Sequence, residues 1–401
     1  MNYHKKSARD IAVQGKKVFV RCDFNVPLDG DGNITDDIRI RGALPTIQYL
    51  LDNGAAVILC SHMGRPKGQV NPKYSLKPVA VRLSELLGQE VKLADDVIGD
   101  SAKALAASLQ PGQAMLLENV RYHKEEEAND PAFAKALAEL ADIFVNDAFG
   151  TAHRAHASTA GIADYLPAVC GFLMEREISV MGKALEDPQR PFVAILGGAK
   201  IADKLKLIDN LLGKCDSVLI VGGMSYTFAK AQGGNIGNSL CDNEKLELVG
   251  ALPAKAEKLG TRLMLPIDNV AGDAFSNDCN TVTVKAGQIP EGYEGMDIGP
   301  ATVAAYSEII KTAKTVIWNG PAGVFEMPTF AEGTKGIAKA VAECDGTSII
   351  GGGDSAAAIE QLGFADQVSH ISTGGGASLE FLEGRELPGI ACLLDACLLD
   401  A

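Results

Sequence analysis

Short apolar runs, rich in β-branched residues, recur along the first half of the chain and alternate with helical patterns. The runs 17–24 (KVFVRCDF) and 55–60 (AAVILC) lie on either side of the amphipathic stretch 40–51. The runs 114–117 and 143–145 continue the series. Strands that alternate with helices at this spacing are typical of βαβ units, so the pattern predicts an α/β fold with a doubly wound, Rossmann-like parallel sheet.

The second half of the chain repeats the pattern, and an amphipathic stretch at 171–187 separates the two halves. A chain of 401 residues is long enough for two domains. We therefore expect parallel-sheet domains at 1–170 and 188–383, joined by an inter-domain helix over 171–187. An ordinary crossover helix is the alternative for that stretch. The predicted strands of the second half are 192–196, 217–221, 315–318, 348–350 and 368–371.

Three consecutive glycines follow each of the last two predicted strands. The triplets are 351–353 and 374–376, and helical patterns follow them at 355–362 and 377–382. Glycine lets backbone N–H groups approach a ligand closely, and the N-terminus of a helix carries a partial positive charge. The two turns therefore predict an anion cradle on adjacent strands, and a flexible linker is the alternative interpretation.

Composition is that of an ordinary globular enzyme, with 47% hydrophobic and 22% charged residues. The net charge of −14 argues against nonspecific binding to nucleic acid or to an anionic membrane. No apolar run approaches the roughly 20 residues that span a bilayer, and the N-terminal segment lacks a signal-peptide core, so we expect a cytoplasmic protein. The nine cysteines are irregularly spaced. They are expected in the core, as at Cys60 and Cys170, rather than in disulfides or a zinc site.

Arginine and histidine side chains collect where the predicted strands of the first half end, together with Asp23 and Asn25. Arginine forms bidentate hydrogen bonds to carboxylate and phosphate, and parallel sheets bind ligands at the carboxyl ends of their strands. The pattern predicts a site for a small, multiply anionic molecule, with Asp23 and Asn25 left to bond its hydroxyls. Solvated surface arginines are the alternative. The cationic residues are Arg21, Arg39, His62, Arg65, Arg121, His153, Arg154 and His156.

The strand ends of the second half carry glycine, lysine and acidic residues instead. Lys200 and Lys204 are expected one helical turn apart, with both ammonium groups on one side. Asp354 is expected in the first turn of its helix, either as a capping carboxylate or as a Mg²⁺ ligand beside phosphates. Together these residues predict a binding site for a nucleoside triphosphate. The sequence contains neither GxxxxGK[ST] nor a GxGxxG after the first strand, which excludes a Walker-type NTPase and an evident dinucleotide dehydrogenase.

For two other segments the sequence predicts no role in ligand binding. The acidic run 124–130 is expected to be a solvated loop that enters a helix at Pro131. The far C-terminus contains CLLDA twice, at 392–396 and 397–401, and the second copy is expected to be an extension without function.

A series of distinctive motifs runs from Arg21 to Leu387: RCDFNVP, DDIRIRGALPTI, SHMGRP, LLENVR, NDAFGTAHRAHAST, ILGGAKIADKL, WNGPAGVFE, GGGDSAAA and STGGGASLEFLEG. These motifs, in this order, resemble those of the phosphoglycerate kinase family. The resemblance implies a bilobal, hinge-bending monomer with an N-terminal domain that binds 3-phosphoglycerate or 1,3-bisphosphoglycerate. It further implies a C-terminal domain that binds Mg-ADP or Mg-ATP, and a last segment, 384–401, that packs back on the first domain.

The resemblance also implies roles for individual residues, and it makes Asp354 the Mg²⁺ ligand. The implied substrate-binding residues are Asp23, Asn25, Arg39, His62, Arg65, Arg121 and Arg154. The implied nucleotide-binding residues are Lys200, Lys204, Gly222, Gly223, Gly295, Asn319, Pro321, Glu326, Gly351, Gly352, Gly353, Asp354 and Ser355. The implied catalytic residues are Arg39, Lys200, Gly352 and Gly375.

The implied reaction is reversible, Mg-dependent transfer of a phosphoryl group from 1,3-bisphosphoglycerate to ADP, directly and without a covalent enzyme intermediate. In reverse the nucleophile is a carboxylate, which is ionised at neutral pH, so no general base is needed. We expect the two domains to close and exclude water during transfer. The alternatives are another ATP-dependent acyl kinase on this fold and a non-catalytic nucleotide-binding scaffold.

Overall fold

The computed structural model describes residues 3–396, which divide into two compact units. Among the described residues, the first unit comprises 3–179 and 386–396, and the second comprises Val180–Arg385. The second CLLDA copy, predicted to be an extension, lies outside the described residues.

Strands and helices alternate through most of both units. The strands are β1 (Lys17–Arg21), β2 (Ala56–Cys60), β3 (Lys92–Leu93), β4 (Ala114–Leu116), β5 (Ile143–Asn146), β6 (Ala168–Cys170), β7 (Phe192–Leu196), β8 (Ser217–Ile220), β9 (Asn235–Ile236), β10 (Arg262–Met264), β11 (Asp268–Gly272), β12 (Thr281–Lys285), β13 (Gln288–Ile289), β14 (Glu294–Ile298), β15 (Thr315–Asn319), β16 (Thr347–Gly351) and β17 (His370–Ile371). The α-helices are α1 (Ile38–Asp52), α2 (Lys77–Leu87), α3 (Asp100–Ser108), α4 (Lys124–Glu127), α5 (Pro131–Ala138), α6 (Phe172–Glu186), α7 (Leu205–Leu211), α8 (Met224–Ala231), α9 (Leu246–Lys258), α10 (Pro300–Thr312), α11 (Glu332–Ala342), α12 (Gly353–Gln361), α13 (Gly376–Leu382) and α14 (Pro388–Ala391).

The first unit is built around a six-stranded sheet with the order β3-β4-β2-β1-β5-β6. Every pair of neighbouring strands in it is parallel. Strand β1 pairs with β2 on one side and with β5 on the other. The strand order therefore reverses between β1 and β5, and ligands of doubly wound sheets bind at such switch points.

The second unit has its own six-stranded parallel sheet, with the order β10-β8-β7-β15-β16-β17. Numbered along the chain, its strands follow the order 3-2-1-4-5-6 of the doubly wound fold, with the switch point between β7 and β15. The predicted fold class, with two doubly wound parallel sheets, is confirmed.

The central strands consist of apolar residues because neither face of such a sheet meets water. Strands β2 (AVILC) and β7 (FVAIL) are buried at every position. The predicted core positions of Cys60 and Cys170 are confirmed, since both side chains are buried.

Two small sheets of the second unit were not predicted. Strands β12, β11 and β14 form an antiparallel sheet, and β13 pairs with β9. Strand β12 is exposed at alternate positions, so it lacks the continuous apolar run by which the central strands were recognised.

The C-terminal segment packs within the first unit. Backbone N–H of Gly389 donates to the carbonyl of Ala152 at 2.9 Å, and Nδ2 of Asn146 donates to the carbonyl of Gly389 at 2.9 Å. Further along, the N–H of Leu394 donates to the carbonyl of Ala168. The segment is thereby joined to the end of β5 and to β6.

The helix predicted over 171–187 is α6, and the boundary between the two units, at Ser179 and Val180, falls inside it. Within the described residues, no helix has the length and apolar character that crossing a membrane requires.

Asp147, just after β5, holds the start of α6. Its Oδ1 accepts hydrogen bonds from the N–H groups of Leu173 and Met174, at 3.0 and 3.2 Å. A Cβ at Gly171 would lie 2.2 Å from the same oxygen, so this position requires glycine. Burial raises the pKa of Asp147 to about 6.

Replacing Asp147 should change how stability depends on pH. The unfolded chain loses this proton near pH 3.9, whereas the native state keeps it to about pH 6. The carboxyl's contribution to the unfolding free energy therefore falls as pH rises between these values. In Asp147→Asn that fall should be absent. Between pH 4 and 7, the unfolding free energy of the variant should therefore rise by on the order of 2 kcal/mol relative to that of wild type.

Urea unfolding at several pH values across this range measures the difference in unfolding free energy. Asp164→Asn, at an exposed position, is the control. A constant difference between wild type and Asp147→Asn would contradict the assignment.

Candidate active site

The functional side chains predicted for the first unit lie at the carboxyl ends of its strands, with one exception. Asp23 and Asn25 follow β1, His62 follows β2, and Arg121 lies in a short 3₁₀ helix after β4. Arg39 is the exception, because it lies in the first turn of α1.

Asp23 and Asn25 are held by contacts within this edge of the sheet. Oδ2 of Asp23 accepts from Nη1 of Arg39 at 3.0 Å, which brings the helical arginine to the strand end. Oδ1 of Asn25 accepts from the N–H of Gly64 at 2.8 Å. The Arg39 side chain remains 37% exposed, so its guanidinium is accessible to a ligand.

Arg121 is a buried cation with hydrogen-bond donors that have no acceptor in the protein. Its Nη1 donates to the carbonyl of Gly64 at 2.9 Å, but Nε and Nη2 are buried without a hydrogen-bond partner. The nearest carboxylate, on Glu127, is 3.6 Å from Nε. Burial lowers the pKa of Arg121 to about 10, and the charges of Arg21 and Arg154 add to this effect. The side chain is still protonated at neutral pH, and unpaired buried donors are costly unless an anion accepts from them.

The two buried histidines near these arginines are neutral. Burial holds the pKa of His62 well below its usual value, and the pKa of His156 falls to about 4 for the same reason. Neighbouring arginines strengthen both shifts, because a second positive charge is disfavoured beside them. For His62 these neighbours are Arg21, Arg121, Arg39 and Arg154.

The remaining cations of the prediction are more open to solvent. Arg65 is exposed, and Arg154 is half-buried with its Nε 3.2 Å from Nε2 of His153.

In the second unit, three strand ends meet in a cluster of glycines that we call the glycine corner: Gly197, Gly198, Gly222 and Gly320. The N–H of Gly198 donates to the carbonyl of Pro321 at 3.2 Å, and that of Gly222 donates to the carbonyl of Ala322 at 3.1 Å. A Cβ on Gly320 would lie 2.2 Å from the carbonyl oxygen of Gly197. Nε1 of Trp318 also donates to the carbonyl of Gly320, at 2.8 Å. The backbones therefore pack without space for side chains at the switch point of the sheet.

Lys204 and Asn319 lie beside this corner. Nζ of Lys204 donates to Oδ1 of Asn319, while Nδ2 of Asn319 is buried without a hydrogen-bond partner. Burial lowers the pKa of Lys204, and the charges of Asp354 and Asp203 oppose this shift. Lysine and carboxamide thus form a polar pair in which Nδ2 of Asn319 and the remaining N–H groups of Lys204 are left for a ligand.

The predicted helical turn from Lys200 to Lys204 is wrong. A short 3₁₀ helix begins only at Ala202 and is followed by α7, so Lys200 lies in the preceding loop and is exposed. Positive φ at Gly198 marks the turn that carries the chain away from β7 before any helix forms.

The first glycine triplet joins β16 to α12. Gly351 ends the strand, Gly352 has a φ of 89°, and Gly353 begins the helix. Asp354 is exposed in the first turn, as predicted. Oγ of Ser355 is buried and accepts from the N–H of Gly320 at 2.6 Å, which ties this helix to the glycine corner.

The second triplet follows the neighbouring strand, with Ser372 and Thr373 between the end of β17 and Gly374. Strands β16 and β17 pair in parallel, so the two turns lie on adjacent strands as predicted. Gly375 has a φ of 52° and precedes α13.

The last members of the predicted set are Gly295, which lies in β14, Gly223, which lies between β8 and α8, and Glu326, which follows β15. The N–H of Gly295 donates to Oγ of Ser239, and a Cβ there would lie 2.2 Å from the ring of Tyr226. Gly223 precedes α8, with Ala199 next to its position. Glu326 is exposed in the loop after β15.

Comparison with known proteins agrees with this arrangement. A family model described as phosphoglycerate kinase matches residues 8–385. The chain belongs to the phosphoglycerate kinase family.

The relatives of this chain bear the same name. The phosphoglycerate kinase of Clostridium novyi is 58% identical over 398 residues, which are 98% of this chain and 100% of that protein. Among solved structures, the phosphoglycerate kinase of Coxiella burnetii is 44% identical with a TM-score of 0.91, and that of Pyrococcus horikoshii is 35% identical with a TM-score of 0.79. Each alignment covers 97% of this chain and 98% of the other. The activity is thus that of a phosphoglycerate kinase, a phosphotransferase, and neither alternative considered from the sequence is favoured.

Two buried polar residues of the first unit, Glu126 and Ser158, are not among the site residues predicted from the sequence. The prediction that 124–130 is a solvated loop is wrong, because 124–127 form α4 and Glu126 is completely buried. Ser158, also buried, donates to the Glu126 carboxylate through both N–H and Oγ. A single glutamate in an acidic run gives no sign that it points inward, so no local signal distinguished Glu126. The helix predicted at Pro131 is confirmed, with Asp130 capping its first turn.

The packing of the glycine corner predicts that Gly320→Ala is strongly destabilising. The φ of Gly320 is 99°, and the new Cβ would clash with the carbonyl of Gly197. We expect a loss of about 2–4 kcal/mol of unfolding free energy. Urea unfolding followed by the fluorescence of Trp318, the one tryptophan of the chain, measures this loss.

The matched control is Gly363→Ala, where φ is 77° but no atom lies within 4 Å of the added Cβ. That variant should lose only about 1–2 kcal/mol through backbone strain. Equal losses at the two positions would show that close packing does not determine the glycine at 320.

Proposed function

We propose that the first unit binds 3-phosphoglycerate or 1,3-bisphosphoglycerate and that the second binds ADP or ATP with Mg²⁺. A phosphoryl group then passes directly between the two ligands, without a covalent enzyme intermediate. The observation that carries the first assignment is Arg121, which is only 3% exposed yet has two nitrogens without a hydrogen-bond partner. A ligand with several anionic oxygens would satisfy these donors and offset the cost of burying the cation.

The glycerate ligand would be held by charge and by hydroxyl contacts. Arg121 and Arg154 would bind its anionic groups, with Arg65 at the exposed margin. His62 is neutral and therefore acts as a hydrogen-bonding group rather than as a charge. Asp23 and Asn25 would bond the hydroxyls.

The nucleotide would lie against the glycine corner and the turn that precedes α12. Lys204 and Nδ2 of Asn319 are cationic and neutral donors for its phosphates, and the backbone N–H groups of Gly352, Gly353 and Ser355 are further donors at a helix N-terminus. Gly222, Gly223, Gly295 and Pro321 would line the site of the base, and Glu326 would bond the ribose.

A Mg²⁺ ion fits the residues present. Within residues 3–396 there is no group of three or more metal-ligating side chains, and Mg²⁺ beside phosphates needs only one or two carboxylates. Asp354 is an exposed carboxylate that interacts electrostatically with Lys204, so it is available to such an ion. When bound, Mg²⁺ supplies positive charge to the phosphate oxygens.

The chain's own residues would act by orientation and by electrostatic stabilisation. The acyl phosphate is attacked by a phosphate oxygen in one direction, and ATP is attacked by a carboxylate in the other, so neither direction needs a general base. Negative charge spreads over the transferring oxygens in the transition state. Lys200 is exposed and the Arg39 side chain is 37% exposed, so both cations are accessible to that charge, and the N–H groups at Gly352 and Gly375 would add donors.

A cytoplasmic location and a monomeric state belong to this proposal and rest on the sequence alone. Closure of the two units during transfer also stays a prediction from the sequence.

The direct test is a coupled assay with 3-phosphoglycerate, ATP and Mg²⁺. ATP consumption should require 3-phosphoglycerate and should be lost when Mg²⁺ is chelated. Equal rates with acetate or unphosphorylated glycerate would favour another acyl kinase. Binding of both ligands without turnover would favour a non-catalytic scaffold.

Arg39→Ala should lower kcat by at least about 10³, with only a modest change in KM, because the lost charge acts mainly in the transition state. Steady-state kinetics measure both constants. Arg41→Ala is the matched control, since Arg41 lies two residues along the same helix and is paired with Asp37 at 2.8 Å. If Arg39→Ala kept most of its kcat, the proposed catalytic role would be wrong.

A further inference from the structure

Arg21 differs from the other arginines of the first unit in having every guanidinium nitrogen engaged inside the protein. Nε donates to Oγ of Ser158 at 2.8 Å, Nη1 donates to the carbonyl of Cys22, and Nη2 lies 3.3 Å from Nδ1 of His62. The residue has no exposed surface. A side chain held in this way acts on its neighbours and not on a ligand, in contrast to Arg121 with its two unpartnered nitrogens.

A buried chain of hydrogen bonds holds Arg21 in place. Ser158 accepts from Nε of Arg21 and donates its hydroxyl proton to Oε1 of Glu126 at 2.6 Å. The N–H of Ser158 donates to Oε2 of the same carboxylate at 2.9 Å. Glu126 is completely buried, so its position is fixed by these bonds and by packing.

The contact between Arg21 and His62 determines where the imidazole proton lies. A guanidinium group has only donors, so Nδ1 of His62 must accept, and an accepting imidazole nitrogen carries no proton. The opposite tautomer would place two N–H donors face to face in a buried site, which costs the desolvation energy of both groups. His62 is also neutral at neutral pH, since burial and nearby arginines lower its pKa.

We propose that Arg21 is a positioning residue that fixes His62 in the tautomer protonated at Nε2, and that Glu126 holds Arg21 for this task through Ser158. Because Nδ1 is occupied, Nε2–H is the one ring nitrogen left for a ligand. His62 therefore offers a neutral hydrogen-bond donor of fixed direction. Its use toward an anionic oxygen of the glycerate ligand rests on the proposed function.

Nitrogen NMR of the substrate-free, full-length protein tests the tautomer without assuming any activity. In protein labelled with ¹⁵N-histidine, the His62 resonances are assigned by comparison with His62→Gln. We expect Nδ1 at the chemical shift of an unprotonated imidazole nitrogen and Nε2 at that of a protonated one. The reverse assignment in wild type, or averaged shifts for a mixture, would overturn the proposal.

Three variants test the hydrogen bonds that connect Glu126, through Ser158 and Arg21, to His62. Arg21→Met removes the donor and Glu126→Gln removes the buried charge, so both should move the His62 shifts toward averaged values. Glu125→Gln, at the neighbouring, half-buried position, is the control and should leave them unchanged. Unaltered shifts in a folded Arg21→Met or Glu126→Gln protein would refute the positioning role. If neither variant folds, the wild-type spectrum still decides the tautomer.

Kinetics separate this role from a purely structural one. Glu126→Gln should raise KM for 3-phosphoglycerate by about tenfold, with little change in KM for ATP. Equal changes in both constants would indicate general destabilisation and contradict the proposal. If the wild-type protein showed the expected His62 tautomer by NMR but no activity in the coupled assay, the result would count against the proposed function and not against the positioning role.

Discussion

Parallel pairing of the strands is the constraint on which the rest of this structure depends. In a parallel sheet every strand ends at the same edge, so residues far apart in sequence converge there. Strands β1 and β2 bring Asp23 and His62 to one edge of the first sheet. In the second sheet, β7 and β15 bring Gly197 and Gly320 into backbone contact. Each unit thus concentrates its chemistry at one edge, and the helices behind it supply packing.

The strand ends of the two sheets differ in the charges of the side chains that lie there. In the first unit, arginines are buried in a chain whose net charge is −14. Arg21 is neutralised locally by the bonds that lead to Glu126, whereas Arg121 keeps donors without partners. The difference separates a residue that supports the site from one that is available to a ligand. In the second unit, glycine backbones and two lysines, Lys200 and Lys204, replace the cation cluster, so the donors there are mostly neutral.

The fold class was predictable because apolar runs such as those of β2 and β7 differ clearly from the helical stretches between them. Its position after a buried strand identified Arg121 as a candidate, whereas Asn319 was identified by the family resemblance alone. Contacts that depend on tertiary packing were not predictable. Glu126 lies in an acidic run that resembles a solvated loop, and its inward direction is set by Ser158, which follows it by 32 residues. The position of Lys200 was also missed, because the turn at Gly198 delays the helix.

The central claim is that glycerate and nucleotide bind to different units. Calorimetric titration of 3-phosphoglycerate and of Mg-ADP, separately, into Arg154→Ala and Asp354→Asn tests it most directly. Asp366→Asn, exposed in the second unit, serves as the control. The account predicts that Arg154→Ala weakens only 3-phosphoglycerate binding and that Asp354→Asn weakens only Mg-ADP binding. Parallel losses of both ligands in either variant would contradict it.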